Sequence, residues 1–172
     1  MNIYLKALLF LLSFSLFHFG YELTEWSFLK PFFGTNESVF QHLKMAFWGY
    51  FLLTMVEYFW FKKRIKEKIE NFWYSRVLSI IIIPWIVMQM WYLLPAIYGR
   101  AEYLILGVSW AVLVTYLSAL FVIQIEKETE KIQFHVKTKI FLLVLFVILA
   151  FLFTLFTYKL PWIDLFVNPE VL

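Results

Sequence analysis

The stretch from Ile140 to Tyr158 reads IFLLVLFVILAFLFTLFTY, nineteen residues without a charge. A bilayer hydrocarbon core of ~30 Å asks for about 20 mainly apolar residues in a helix. A strand would alternate, and this run does not. In lipid, only a helix satisfies its own backbone over such a length. Four further runs of similar character lie upstream, at about 4–21, 39–61, 77–98 and 103–124, and short polar connections separate them. The run over 39–61 is the most polar of the five. The sequence therefore predicts an all-α polytopic membrane protein of five transmembrane helices in a single membrane domain over 1–172.

Composition agrees. The 172 residues are 63% hydrophobic, 23% aromatic and 16% charged. Soluble domains stand nearer ~45–50% apolar and ~25% charged. Such a chain lacks the polar surface to cover a water-soluble globule, which excludes a soluble enzyme, a disordered chain or a collagen-like repeat. There is no cysteine, so thiolate metal sites, disulfides and cysteine nucleophiles are excluded. No phosphate loop or dinucleotide fingerprint appears, and no nucleic-acid partner is expected. The first run is flanked by Lys6 alone and offers no small-x-small cleavage site, so it is expected to stay as a helix.

The cations are unevenly placed. Six lie between the second and third runs (Lys62, Lys63, Arg64, Lys66, Lys68, Arg76), four between the fourth and fifth (Lys127, Lys131, Lys137, Lys139), and Lys6 shares their face. That makes eleven, against Lys30, Lys44, Arg100 and Lys159 on the other face. Short loops rich in Lys and Arg stay cytoplasmic. The expectation is a multi-pass cell-membrane protein with its N-terminus in the cytoplasm and its C-terminus outside. Trp60, Trp73 and Tyr74 near one boundary, and Trp26, Trp91 and Trp162 near the other, suit interfacial belts.

Polar residues within a membrane domain are functional candidates. His18 and Glu22 close the first run, four apart on one helix face. Asn36, Glu37 and Ser38 precede the second run, and His42 and Lys44 occupy its first turns. Antiparallel neighbours joined by a short connection place His18 and His42 at similar depth, and Arg100 falls on the same face. Three readings are open for this layer. Asn36 or Ser38 can cap the second helix, Glu37 suits its positive end, His18 can pair with Glu22, and Arg100 can neutralise a carboxylate. The set can instead hold a ligand, proton or metal, although no standard metal spacing is present. Or His18 or His42, polarised by Glu22 or Glu37, can perform acid–base chemistry. Elsewhere, Glu57 is expected to snorkel to the interface and pair with Lys62, Lys63 and Arg64. Gln89, Ser109, Thr115 and Ser118 are expected to bond between helices. The segment Glu126–Lys131 reads as a solvated extension of the fourth helix.

Asn36-Glu37-Ser38-Val39-Phe40-Gln41-His42-Leu43-Lys44 resembles an Asn-Glu-Ser-x-x-Glu-His-x-Lys signature. It belongs to a family of small multi-spanning bacterial and archaeal membrane proteins classed as a domain of unknown function. Gln41 stands where that family tends to have Glu. His18-Phe19-Gly20-Tyr21-Glu22 is similar to its first-span ending. Leu165-Phe166-Val167-Asn168-Pro169 is similar to its closing element, with Asn168 in place of Asp. The resemblance implies membership and no reaction. The functional expectation is an outward-facing cluster of His18, Glu22, Asn36, Glu37, Ser38, His42, Lys44 and Arg100 that binds or helps move a small ligand or ion. One alternative is a membrane-embedded enzyme acting on a lipid or lipid-linked substrate through His18, Glu22, Glu37 and His42. The other is an accessory subunit bound to another membrane protein or to a second copy of itself.

Overall fold

A computed structural model describes residues 1–65, 69–99 and 103–168. Five helices follow one another: α1 (Ile3–Thr24), α2 (Val39–Ile65), α3 (Ile69–Tyr98), α4 (Leu104–Thr129) and α5 (Val136–Tyr158). Single 3-10 turns occupy Ser27–Leu29 and Asp164–Phe166. No strand occurs among the described residues. Four of the helices, α1, α3, α4 and α5, are long and apolar enough to cross a membrane.

The helices outrun the apolar stretches at their charged ends. α3 begins at Ile69 rather than Val77, and α2 continues to Ile65. A helix needs no apolar side chain to continue; its backbone bonds are internal, and long charged side chains reach out to water. The two prolines in α3, Pro84 and Pro95, sit inside the continuous helix. Pro84 is buried, so neighbouring side chains pack around it.

α2 is the central helix. Phe40, Leu43, Met45, Ala46, Phe47, Tyr50 and Leu53 are all buried. It packs against α1 and α3, and α4 closes the bundle against α1 and α3. α5 leans on α3 and meets α2 through Phe47, whose ring lies 5.3 Å from Phe146 and 5.2 Å from Phe153. This explains why α2 is the least apolar of the five. Protein surrounds it on most sides, so its polar side chains meet protein partners.

The α1–α2 seam is tight. Ser13 donates to the carbonyl of Gly49 at 2.8 Å, and a Cβ on Gly49 would already touch the Phe14 backbone at 3.5 Å. The expected bonds from Gln89 and Ser118 do not form. Gln89 is exposed, and the buried Ser118 hydroxyl has no partner among the described residues.

Candidate functional site

The connection between α1 and α2 is folded back onto the helices. α1 ends at Glu25, whose backbone is left-handed (φ 55°) and whose N–H returns to the carbonyl of Tyr21. Phe33 then packs on Gly20, where a Cβ would stand 2.2 Å from the Phe33 ring. The Phe33 ring also meets Phe17 at 4.6 Å. Gly34 donates its N–H to the carbonyl of Phe17 at 2.9 Å, and a Cβ there would collide with Met45. Glycines at 20 and 34 thus let the loop approach α1 and α2 closely enough to bring residue 37 over their ends. The Asn36 side chain accepts from the N–H of Ser38 at 2.9 Å, and the Ser38 carbonyl accepts the N–H groups of Gln41 and His42 in the first turn of α2. Asn36 therefore shapes the entry to α2, as its position at a helix start suggests.

The result is a three-residue set. The Nε2 of His18 lies 3.5 Å from one oxygen of Glu37, and the Nε2 of His42 lies 3.4 Å from the other. The two imidazoles are 5.4 Å apart, edge to face. One ligand atom from each of the three residues lies within 4.8 Å of the other two. The Phe14 ring lies 6.4 Å from both imidazoles and floors the set with an apolar surface. The Nδ1 of His42 lies 2.9 Å from the Ser38 carbonyl. A carbonyl only accepts, so that bond places a proton on Nδ1, and in the neutral ring Nε2, the nitrogen that faces Glu37, carries the lone pair. The hydrogen-bonding contact with His18 holds the Glu37 carboxyl below the usual carboxylate range. Partial burial opposes it, and the charges of His18 and His42 add to it.

The other expected members lie elsewhere. Glu22 is exposed, and the carboxylate beside His18 is Glu37 rather than Glu22. The i, i+4 spacing allowed a local pair, but the folded-back loop supplies a closer partner. Lys44 is fully buried and turned the other way. Its ammonium donates to the Lys30 carbonyl at 2.7 Å and to the Thr157 hydroxyl at 3.2 Å. Two residues along a helix do not share a face, which separates Lys44 from His42. The Ser38 hydroxyl is buried without a partner among the described residues. Arg100 lies outside the described residues.

A second polar cluster occupies the opposite end of the bundle. Lys6 of α1 bonds to Glu57 of α2 and Glu126 of α4. Arg76 of α3 reaches Glu57 at 3.2 Å, Glu126 at 3.5 Å, and Glu130. The Tyr50 hydroxyl donates to Glu126 at 2.8 Å. Lys6, Glu57, Arg76 and Glu126 are each 5% exposed or less. This corrects two expectations. Glu57 is buried against Lys6 and Arg76 instead of snorkelling toward Lys62, and Glu126 is inside the bundle instead of on a solvated extension. The usable signal was depth. Lys6 and Glu57 lie the same distance from the same end of antiparallel helices, as His18 and His42 do at the other.

A family model for DUF6512, a family of unknown function, matches residues 2–170. The chain belongs to that family. No curated protein and no solved structure matches it. Membership in a family of unknown function is as expected, and it assigns no reaction to either cluster.

Proposed function

We propose that this DUF6512 member is a five-span membrane protein that binds a divalent transition-metal cation of the zinc type through His18, Glu37 and His42. The observation carrying this reading is the convergence of two imidazole nitrogens and one carboxylate within 4.8 Å. Ligands ~2.0–2.1 Å from a tetrahedral ion stand ~3.3–3.4 Å apart, and two His plus one carboxylate leave a fourth position for water or substrate. The 3.4 and 3.5 Å contacts are already near that spacing. The backbone bond on Nδ1 of His42 is the kind of support that orients a ligating imidazole. α2 supplies the fifth span, since its Lys44 and Glu57 are buried among protein partners. The excess of cations near the Lys6 end supports an outer-face position for the His–Glu–His set.

The test is calorimetric titration of the purified, tag-free chain with Zn²⁺. One equivalent is expected. His18→Ala, His42→Ala and Glu37→Gln should each lower affinity by roughly ten- to hundredfold or more, since even residues beyond the coordination sphere cost that much. Unchanged stoichiometry and affinity in the His18→Ala/His42→Ala double variant would refute the assignment.

A further inference from the structure

A cavity of about 260 Å³ opens beside the charged cluster at the Lys6 end. Its ionised lining comprises Lys6, Arg76, Lys127, Glu57, Glu126 and Glu130. Phe61 and Phe72 contribute apolar wall. Burying the four charges of Lys6, Glu57, Arg76 and Glu126 between helices costs desolvation that well-packed apolar side chains would avoid, and ionisable groups at membrane depth are functional candidates. What the cavity can take follows from which protons and lone pairs are already committed.

Arg76 has none to spare. Its five N–H groups face Glu57 twice, Glu126, Glu130 and the Ser75 hydroxyl. Its role is to hold the carboxylates. Both oxygens of Glu57 and both of Glu126 are engaged. Lys6 is different. Its ammonium has three donors, and two go to Glu57 and Glu126. The Tyr50 ring centre stands 5.5 Å from that nitrogen, a cation–π contact that fixes no single proton. A donor is therefore left on a side chain only 2% exposed that lines the cavity. At the rim, Lys127 is exposed and makes no ion pair among the described residues. One oxygen of Glu130 binds Arg76, and the other accepts from no described residue.

The uncommitted capacity is thus cationic at Lys6 and Lys127 and anionic at Glu130. The six ionised side chains sum to zero. A ligand of net charge would leave that sum unbalanced where the dielectric is low and imbalance is expensive. A zwitterion leaves it balanced and uses both kinds of free group. From this we infer that the cavity binds a small zwitterion carrying an ammonium and an anionic group a few atoms apart. The anion sits between Lys6 and Lys127, and the ammonium sits on Glu130. An aminoalkyl phosphodiester, with one negative charge on the phosphate and one positive on the amine, has this chemistry, either as a phospholipid headgroup or as a free solute.

The full chain, purified in detergent, would be titrated with phosphatidylethanolamine and phosphatidylglycerol and followed by native mass spectrometry. Glycerophosphoethanolamine, the soluble phosphodiester with the same headgroup, would be titrated in parallel by calorimetry. We expect phosphatidylethanolamine or glycerophosphoethanolamine to bind at least tenfold more tightly than phosphatidylglycerol. Binding of the lipid alone identifies the headgroup as the source, and binding of both identifies the zwitterion itself. Lys127→Gln and Glu130→Gln should each weaken binding roughly five- to tenfold, as expected for one charge-assisted bond. His42→Ala, at the far end, should leave it unchanged. Equal or preferential retention of phosphatidylglycerol, no binding of either zwitterion, or indifference to both variants would overturn the inference. None of these results depends on whether Zn²⁺ binds at His18 and His42.

Discussion

Replacing Arg76 with Met removes the guanidinium that joins three carboxylates. In the native bundle Lys6 and Arg76 face Glu57, Glu126 and Glu130, a formal balance of minus one. In Arg76→Met, Lys6 alone faces all three, a balance of minus two. Breaking a buried ion pair from one side costs about 3–5 kcal/mol, because the remaining charge stays buried without its partner. The Met side chain keeps the packing against Phe72, whose ring now lies 4.0 Å from the guanidinium, so the loss is chiefly electrostatic. For a chain of this length, each kcal/mol shifts the melting temperature by ~2–4 °C. Arg76→Met should therefore melt roughly 6–20 °C lower in detergent, followed by circular dichroism. A second substitution, Glu57→Gln, restores the balance to minus one. The double variant should recover ~1–2 kcal/mol relative to Arg76→Met, a coupling within the usual range for contacting residues. A melting shift under 2 °C in Arg76→Met would refute the reasoning. So would strict additivity of the two substitutions.

Gly20→Ala places a Cβ 2.2 Å from the Phe33 ring. It should cost about 1–3 kcal/mol of stability as an overpacking change and weaken Zn²⁺ binding, whereas Gly107→Ala, with open space around it, should be neutral or stabilising in thermal melts. Because the Glu37 carboxyl is held below the usual range, its contacts with the histidines stabilise the fold above the ordinary carboxylate pKa of ~4.3. That contribution is lost as the pH falls through the lower folded value. Glu37→Gln should therefore flatten the low-pH limb of a stability–pH curve, and an unchanged limb would count against the pairing. A reporter fused after residue 172 should be extracellular, and cytoplasmic activity of that fusion would reverse the assigned orientation.

The helices were legible because each apolar run is of helix length and does not alternate as a strand would. The His18–His42 meeting was legible as well, from matched depth on antiparallel neighbours. Glu37 was visible as a candidate, but its place between the imidazoles depends on Phe33 settling on Gly20, a contact between side chains no periodicity reveals. The charged cluster at the other end was missed for a definite reason. Counting Lys and Arg by loop treats every charge near a helix end as solvated. Arg76 and Glu126 lie inside helices that run past their apolar stretches, and the buried face there is decided by helix rotation. On α4, residues 115, 118, 119, 122, 123 and 126 are all buried. That helical stripe ends in Glu126, and following it one turn further would have placed the carboxylate inside.

α5 is the most exposed of the helices, with Leu142 and Phe153 alone fully buried. Within lipid, apolar surface gives it no reason to prefer protein over acyl chains. Its hold on the rest of the bundle includes Thr157, whose hydroxyl is one of two acceptors for the buried Lys44 ammonium. If α5 drifted away into the bilayer, that ammonium would be left facing hydrocarbon, at a cost of several kcal/mol. A lysine on the central helix thus ties the last of the five helices to the rest of the bundle by a polar bond, beside the ring contacts of Phe47 with Phe146 and Phe153.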